Sequence, residues 1–512
     1  MPSHLLPLLA PLALVAAAAF AFRGPGLRPA ATLRAANLAA GTALAVALGS
    51  VALLALQGAG SAPLALVRLD AVSATMLLLV AFVGWVVLRY AATYLDGEAG
   101  QGRFTAWLCL TLAAALLLVT AGNLLVLVLA WGLAGFGLHR LLLFYPERPA
   151  AQRAARKKAI FARAGDAALA GAALLLLAGF GTADIAAINA AARDGEAPGF
   201  ATAAAALLAL AALLKSAQFP THGWLTEVME TPTPVSALLH AGLINAGGFL
   251  LIRFADVMLE APGVLAALAM LGGFTALFAG LVMLTQPAVK TALAWSTIAQ
   301  MGFMILQCGL ALFPLALLHI VAHSLYKAHA FLASGTAVEK VAAIRRPGPV
   351  AVPDARAVGR AFLAALLLYA VIGAAFGIEG KSPQAIALAA ILVLGVAYLL
   401  AQGFADAAPG PLTLRISAAA GAAAIGYFAL QRGAEALTAG VLPPAPAPGA
   451  LEWVLIVVAV LGFGLTAFAQ ATFPLWAQHP AASGLRVHLA NGLYVNALTD
   501  RLLRGWALRT TA

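Results

Sequence analysis

The sequence predicts an all-α polytopic membrane protein with about fifteen transmembrane helices. Of its 512 residues, 63% are hydrophobic and only 10% are charged, and the mean hydropathy is +0.97. Soluble proteins of this length do not have such a composition. The apolar residues also fall into long stretches separated by polar, Gly or Pro breaks, and about 20 apolar residues suffice for a helix to cross a bilayer.

The basic loops give the expected orientation. The first apolar stretch, Leu5–Phe22, has no Lys or Arg before it, whereas the basic loop Arg23–Arg34 follows it. A secretory signal peptide has the reverse arrangement, so we expect a retained first helix with its N-terminus outside. Counting alternately from there, Arg148–Lys158 and Lys340–Arg360 fall on the side of Arg23–Arg34, which is the cytoplasm by the positive-inside rule. The C-terminus is expected on the same side.

Composition and motifs exclude several classes of function. The net charge of +11 is gathered in a few loops and does not alternate with aromatic residues, so no nucleic-acid partner is expected. Cys109 and Cys308 lie in apolar segments without metal-site or disulfide spacing. No Gly-rich phosphate loop of the P-loop or Rossmann type is present.

One apolar stretch, Phe313–Ala337, carries ionisable residues. His319, His323 and Lys327 follow at four-residue steps, so they line one stripe of a helix over about 12 Å. A Lys near the bilayer centre costs about 2.5–3.5 kcal/mol even on the lenient insertion scale. A file of proton carriers explains such a costly arrangement. A snorkelling Lys with satisfied core histidines is the alternative, and a structural role is the favoured reading for His329, which lies off the stripe.

Lys and His suit proton movement for a physical reason. Desolvation lowers the pKa of a Lys side chain, and a neighbouring carboxylate raises it again. His titrates near neutral pH without any shift. A water-linked row of these residues can relay protons, so we expect neither a metal nor an organic cofactor in this chain.

The segment 214–240 predicts a broken helix. Lys215 directly follows an apolar span, and Pro220 cannot continue that helix because it lacks an N–H and clashes with the preceding turn. Pro232 opens the next span, which contains His240. Discontinuous helices at membrane depth occur where they face protein or water, and they mark ion sites.

A similar pattern occurs later in the chain. An apolar run ends at Glu379-Gly380-Lys381-Ser382-Pro383, so again a Lys-Ser pair meets a Pro. Paired broken segments indicate an internal repeat built around a transport path. An ordinary loop lysine is the alternative for Lys381.

Four further charges are candidates for supporting roles. Arg163 and Asp166 stand three residues apart at the start of an apolar span, which favours an intramembrane ion pair that positions helices. Glu227 and Glu230 flank the broken segment. They are candidates either for the counter-charge of Lys215 or for caps at the membrane interface.

Several of these motifs resemble one family. The segment KSAQFPTHGWLTEVMETPTPVSALLHA (215–241) resembles the signature of the antiporter-like, proton-conducting subunits of respiratory complex I and of Mrp-type cation/proton antiporters. STIAQMGFM (296–304) and FLASG (331–335) are similar to the same family. The resemblance covers most of residues 65–405. It implies two inverted five-helix repeats, each containing a broken helix.

The resemblance also implies a proton path and a division of the chain. By motif match the path runs through Lys215, His240, His319, His323, Lys327 and Lys381. Arg163-Ala164-Gly165-Asp166 matches the family's Arg-x-Gly-Asp. The implied units are N-terminal transmembrane helices (1–103), a first repeat (104–258), a second repeat (259–405), C-terminal transmembrane helices (406–475) and an amphipathic tail (476–512).

One position departs from the family pattern. The family has Trp-Glu in the fifth span, where the Glu is the partner of the broken-helix Lys. This chain has Trp131-Gly132 instead. A different carboxylate, from Asp166, Glu227 or Glu230, would have to take over that partnership.

Further segments resemble a narrower group. They are HRLLLFYPERPAAQRAARKK (139–158), AGLINAGGFL (241–250), LYKAHAFL (325–332) and HLANGLYVNALTDRLL (488–503). They look like the DabB family, the membrane subunits of DAB inorganic-carbon (CO2/bicarbonate) accumulation systems in the bacterial inner membrane. That family implies a large cytoplasmic DabA-like partner, a zinc protein similar to β-carbonic anhydrases, so zinc is expected in the partner. The alternatives are a subunit of an NADH–quinone oxidoreductase or of an Mrp-type Na⁺/H⁺ antiporter.

The C-terminal tail has an amphipathic pattern. Leu485, Leu489, Leu493, Ala497 and Leu502 recur at helical spacing, with most polar residues off that stripe. An interfacial helix and a docking site for a soluble partner are both consistent with this pattern.

Overall fold

The structure, a computed structural model, describes residues 3–336, 354–377, 380–403 and 410–504, and it confirms the all-α fold class. Within these ranges, thirteen helices are long and apolar enough to cross a membrane, and two shorter apolar helices, Ala201–Lys215 and Pro383–Ala397, accompany them. The expected total of about fifteen spans and the inverted repeats remain predictions. Ala337, most of the loop Lys340–Arg360, Glu379 and the end of the tail lie outside the described residues.

The helices follow one another with short connections. The first half comprises α1 (Leu9–Arg23), α2 (Ala30–Gln57), α3 (Ala71–Tyr94), α4 (Gln101–Thr120), α5 (Leu124–Leu142), α6 (Pro149–Phe180), α7 (Ile185–Arg193), α8 (Ala201–Lys215), α9 (Gly223–Glu227), α10 (Thr233–Ala241), α11 (Ala246–Arg253) and α12 (Ala255–Leu259). The second half comprises α13 (Pro262–Met283), α14 (Val289–Gly309), α15 (Phe313–Leu332), α16 (Ala355–Ala375), α17 (Pro383–Gly403), α18 (Gly410–Thr438), α19 (Ala450–Ala471), α20 (Phe473–Trp476), α21 (Pro480–Ala490) and α22 (Val495–Arg504).

Smaller elements complete the described chain. A two-stranded antiparallel hairpin, β1 (Gly60–Ser61) and β2 (Arg68–Leu69), lies between α2 and α3 and pairs Gly60 with Leu69. Short 3-10 segments occur at Ser3–Leu8, Pro63–Ala65, Val228–Glu230, Leu243–Asn245, Ser334–Thr336 and Gly492–Tyr494.

A buried ion pair marks one end of the bundle, which we call the Asp70 end. Asp70 caps α3 by accepting a 2.8 Å hydrogen bond from the backbone N–H of Ser73. Nη1 of Arg253, at the end of α11, donates to Asp70 Oδ2 over 2.6 Å, and Nε of Arg68 donates to the same oxygen over 2.7 Å. These contacts join the start of α3 to the end of α11.

The opposite end carries the C-terminal helices, and we call it the tail end. Oη of Tyr145 donates to Glu98 over 2.9 Å, which joins the α5–α6 connection to the connection that follows α3. Lys157 of α6 forms an ion pair with Asp500 of α22, with an Nζ–Oδ1 distance of 2.5 Å. The tail therefore lies on the side of the bundle where the basic segment Arg148–Lys158 begins.

Small residues let the central helices approach closely. A Cβ atom built on Gly272 of α13 would lie 2.5 Å from the backbone nitrogen of Leu306 in α14, and one on Gly302 would lie 2.5 Å from the nitrogen of Ala276. Such contacts between backbones are how helices gain packing energy inside a membrane, where lipid tails remove the hydrophobic driving force. They hold α14 firmly against α13.

The segment read from the sequence as the basic loop Arg148–Lys158 is mostly helix. Helix α6 begins at Pro149, whose fixed φ suits the first helical position, and the Ala-rich residues after it favour the helix. Lys157 and Lys158 are consequently in its third turn, and they are only 4% and 5% exposed. The run of basic residues predicts a cytoplasmic loop, so no sequence pattern indicated that Lys157 and Lys158 are buried.

The helix break after Lys215 lies where the sequence predicts it. Helix α8 ends at Lys215, a short α9 and a 3-10 turn follow, and α10 begins at Thr233 after Pro232. A second interruption, at the 3-10 segment Leu243–Asn245 between α10 and α11, was not predicted. It follows Gly242, whose backbone leaves the helical region (φ −125°, ψ −77°).

Candidate functional site

The ionisable stripe of α15 faces the protein interior. Lys327 is fully buried, and its Nζ donates to the backbone carbonyl of Leu293 on α14 over 3.2 Å. One turn away, Nε2 of His323 lies 3.2 Å from the backbone oxygen of His240. The rings of His319 and His323 are 6.0 Å apart between centroids. The three residues thus form a continuous file, and the exposed His329 is not part of it.

His240 joins this file from α10. Its Nδ1 lies 3.0 Å from the hydroxyl of Thr297, and its ring stacks on Phe331 at 4.3 Å between centroids. The Thr297 hydroxyl donates to Leu293 O, the carbonyl that also accepts from Lys327, so it is free to accept from an Nδ1–H. Nε2 of His240 is then a buried acceptor without a hydrogen-bond partner among the described residues. This atom can take up a proton close to Lys327.

A cavity of about 720 Å³ lies beside the file. Helices α14, α15, α17 and α18 contribute to its walls, which are mainly apolar. His319 and His323 reach it from α15, and Gln300 and Gln307 reach it from α14. Several water molecules fit into such a volume.

A second group surrounds the broken-helix lysine. Nζ of Lys215 lies over the ring of Trp131, 4.4 Å from its centroid, which is a cation–π contact. Nζ of Lys158 donates to the backbone oxygen of Gly135 over 2.6 Å, one turn along α5 from Trp131. Both lysines line a cavity of about 20 Å³, enough for one water molecule. The sequence did not indicate Lys158 as a site residue, because the basic run that contains it predicts a cytoplasmic loop.

The carboxylate of Asp166 is near both of these lysines, but among the described residues it forms no hydrogen bond or ion pair with either. Its Oδ1 is buried and has no hydrogen-bond partner among the described residues. Its Oδ2 lies 3.9 Å from Nη1 of Arg163, whose side chain is 77% exposed, so this ion pair is weak. Position 132, where the family has its Glu, borders open space, because a Cβ atom added to Gly132 would meet nothing within 4 Å.

Glu227 has a different partner from Lys215. It forms an ion pair with the buried Lys157 and accepts a 2.9 Å hydrogen bond from Nδ2 of Asn496 in the tail. Asn496 Oδ1 in turn accepts from Lys157 over 2.7 Å. These contacts tie the broken segment to the tail. The side chain of Glu230 lies outside the described residues.

Lys381 forms a third group with Glu435, which no sequence motif indicated. It is 7% exposed, and its Nζ lies 3.6 Å from Oε2 of Glu435 on α18. Lys381 is therefore not an exposed loop lysine. Glu435 is 54 positions away in sequence, and no local pattern links the two.

The structure thus places the six sequence-selected residues in three groups. His240 joins the α15 file, Lys215 lies with Lys158, and Lys381 lies with Glu435. Among the described residues, no hydrogen bond or ion pair joins Lys215 to His240. In the same part of the chain, no cluster of three or more His, Cys, Asp or Glu side chains is arranged to hold a metal ion.

Comparison with known proteins identifies the family. Residues 121–347 match the family model described as NADH:quinone oxidoreductase/Mrp antiporter, and residues 63–105 match the N-terminal model of complex I chain 5. A probable inorganic carbon transporter subunit, DabB2 of Halothiobacillus neapolitanus, is 37% identical over 464 residues, which cover 88% of this chain and 83% of that protein. The chain belongs to the DabB family. It is a multi-pass membrane protein related to the antiporter-like subunits.

Two further similarities agree with this family. A probable inorganic carbon transporter subunit DabB of Hydrogenovibrio crunogenus is 47% identical over 275 residues, 53% of each chain. The solved Mrp complex from Dietzia sp. DQ12-45-1b contains a chain that superimposes with a TM-score of 0.64 at 22% identity, covering 98% of this chain and 59% of that one. At that identity the structural similarity shows the fold. The resemblance to both DabB and antiporter-like families in the sequence analysis is confirmed.

Proposed function

We propose that this chain is the proton-conducting membrane subunit of an inorganic-carbon (CO2/bicarbonate) accumulation complex. The observation that carries the proposal is the buried file of Lys327, His323, His319 and His240 beside a cavity of about 720 Å³. Burying such groups in a membrane protein is costly, and buried ionisable residues commonly mark ion pathways. The DabB relatives are described as probable inorganic carbon transporter subunits, and they supply the substrate class of the proposal.

The conducted protons would drive chemistry on a partner. Hydration of CO2 gives bicarbonate and a proton, and we propose that coupling this step to inward proton flow supplies the free energy that makes it effectively one-way. Zinc activates water for such a reaction, because a bound Zn²⁺ lowers the pKa of its water to about 7. We propose that a large cytoplasmic DabA-like zinc protein supplies this site and docks at the tail end.

The proposed membrane topology assigns each end of the bundle to one side of the membrane. The Asp70 end would face outward, and the tail end with Lys157 and α22 would face the cytoplasm of a bacterial inner membrane. The basic loops support this orientation by the positive-inside rule. The division into two repeats at 104–258 and 259–405 is part of the proposal.

A growth assay tests the proposal. The chain is expressed together with the gene of its soluble partner in cells that lack carbonic anhydrase. We expect restored growth in air only when both proteins are present. Failure to grow, with both proteins detected in the membrane fraction, would contradict the inorganic-carbon function.

The alternative is a subunit of an NADH–quinone oxidoreductase or an Mrp-type antiporter, which the two matching family models favour. The proteins that co-purify with this chain distinguish these three proposed functions. One large zinc protein supports the inorganic-carbon complex, whereas iron–sulfur or quinone-linked subunits support the oxidoreductase. Several small hydrophobic subunits support the antiporter.

We predict that Asp166→Asn slows proton flux by about tenfold or more. The change removes the charge that acts on Lys215 and Lys158 and keeps the side-chain volume. The measurement is dye-reported acidification in proteoliposomes containing the complex. Asp96→Asn is the matched control, because it makes the same change of side chain in the exposed Arg28–Asp96 pair. Equal rates for the two variants would exclude Asp166 as the replacement for the missing Glu at position 132.

A further inference from the structure

Helix α18 carries a polar stripe that no sequence motif indicated. Tyr427, Gln431 and Glu435 stand at four-residue steps and therefore share one face of the helix. Gln431 is fully buried, and its Nε2 donates to Oε1 of Glu435 over 3.0 Å. The stripe extends about 12 Å along the helix axis.

The two ends of the stripe meet different groups. Tyr427 lines the cavity of about 720 Å³ that His319 and His323 also line. Glu435 lies 3.6 Å from Nζ of Lys381 and is 42% exposed, whereas Lys381 is nearly buried. The stripe thus spans from the histidine file to a charged pair.

The stripe also has a direction. Gly440, Val441 and Leu442 follow directly after α18 and line a cavity of about 150 Å³ together with Asp70 and Arg253. The Glu435 end of α18 is therefore at the Asp70 end of the bundle, opposite the tail. In the proposed topology it faces outward.

Several buried polar atoms between these groups have no hydrogen-bond partner in the part of the chain that the structure describes. The hydroxyl of Tyr427, Oε1 of Gln431 and Nε2 of His319 all lack a hydrogen bond to any described residue. Buried polar groups in proteins are otherwise paired with protein or with ordered water. The cavity reaches Tyr427 and His319, and it has room beside their polar atoms for water molecules that would pair with them.

We propose that Tyr427, Gln431 and Glu435 form the outer half of the proton path, with Glu435 and Lys381 at its mouth. This inference rests on the proposed proton conduction and assigns it a route. A proton from the outer face binds the Glu435 carboxylate and neutralises it, which weakens the pair with Lys381. The new O–H bond then breaks, and the proton passes through water beside Gln431 and Tyr427 to Nε2 of His319, forming an imidazolium. No redox step or cofactor takes part.

The test compares three variants of the full chain in the complex reconstituted into proteoliposomes. We expect Glu435→Gln to reduce proton flux by at least about tenfold, because the amide keeps the hydrogen bonds but cannot carry the proton. Glu435→Asp keeps the carboxylate and should retain most of the flux. Glu452→Gln, in the first turn of α19, is the matched control and should conduct like the parent protein.

The outcomes separate the route from the function. A parent that conducts and a Glu435→Gln variant that conducts equally well would overturn the outer path and leave the proposed function standing. Equal loss of flux in Glu435→Gln and Glu435→Asp would assign the pair a structural role and would also overturn the path. A parent complex without proton flux would overturn both proposals.

A labelling experiment gives a second, independent readout. Cys109 and Cys308 are fully buried, so a membrane-impermeant thiol reagent has little background. Glu435 is the accessible end of the stripe, with a side chain that is 42% exposed, so we expect the Glu435→Cys variant to react from the outer face. Absence of labelling from that face, in a variant that reaches the membrane, would contradict an outer mouth of the path at this position.

Discussion

Replacing Lys327 with Met is expected to lower the proposed proton flux by about a hundredfold or more. Lys327 is the one amine in the α15 file, and it is fully buried. Its Nζ donates to the backbone carbonyl of Leu293, which also accepts a hydrogen bond from the hydroxyl of Thr297. Met fills a similar volume but carries no proton. His323 and His240 would then have no exchange partner on the tail-end side of the file.

The loss should occur without unfolding. A Lys near the bilayer centre costs about 2.5–3.5 kcal/mol relative to an apolar residue, so Lys327→Met is expected to leave thermal stability equal or higher. Proton flux in proteoliposomes and the apparent melting temperature in detergent measure the two effects separately.

Lys290→Met is the matched control for this prediction. Lys290 lies at the start of α14, is partly exposed and has no place in the proposed path. The Lys290→Met variant should conduct protons like the parent protein. Normal flux in Lys327→Met as well would remove the basis of the proposed function.

Replacing Asp70 with Ala is expected to produce the largest loss of stability. Asp70 is fully buried, and Arg253 is only 4% exposed. Removing one partner of a buried ion pair leaves the other charge without compensation, at a cost of about 3–5 kcal/mol. Asp70 also caps α3 through Ser73, and loss of such a cap costs about 1 kcal/mol more.

The ionisation of Asp70 supports this expectation. Burial raises the pKa of the Asp70 carboxyl, but the charge and hydrogen bonds of Arg253, with the charge of Arg68, bring the pKa well below its usual range. A lowered folded-state pKa stabilises the protein above the unfolded value of about 4, and this contribution is lost only as the pH falls through the folded-state pKa. The carboxylate is therefore charged at every pH used for activity.

Two further variants separate the contributions. Asp70→Asn keeps the oxygen that caps α3 but removes the charge, so its stability should lie between the parent and Asp70→Ala. Asp96→Ala breaks the exposed Arg28–Asp96 pair and should cost about 0–1 kcal/mol. Melting temperatures of the purified variants in one detergent give the order. Equal melting temperatures for Asp70→Ala and Asp96→Ala would contradict a stabilising role for the buried pair.

Much of this molecule follows from local pattern. Long apolar stretches predict membrane helices, and four-residue spacing places His319, His323 and Lys327 on one face of α15. Pro220 and Pro232 predict the helix break after Lys215, since a residue without an N–H cannot continue a helix beyond its first turn. Motif resemblance led to the family, which the comparison with DabB2 confirms.

The sequence did not predict which residues of other helices these side chains contact. Lys158 was read with its neighbours as a cytoplasmic loop, because charge counting does not distinguish a loop lysine from one in the third turn of a helix. Glu227 was a candidate partner of Lys215, and the fold instead pairs it with Lys157 and Asn496. The choice depended on which face of the broken segment met the tail.

The sequence by itself determined which segments are long and apolar enough to cross a membrane, where one helix breaks and which ionisable residues share a helix face. These properties depend on residues within a few turns of each other, whose geometry the helix sets. Only the tertiary structure decided that Lys158 lies beside Lys215 at one small cavity, and that Glu435 meets Lys381. Such contacts join helices far apart in sequence, and they depend on how the packed bundle rotates each helix about its axis.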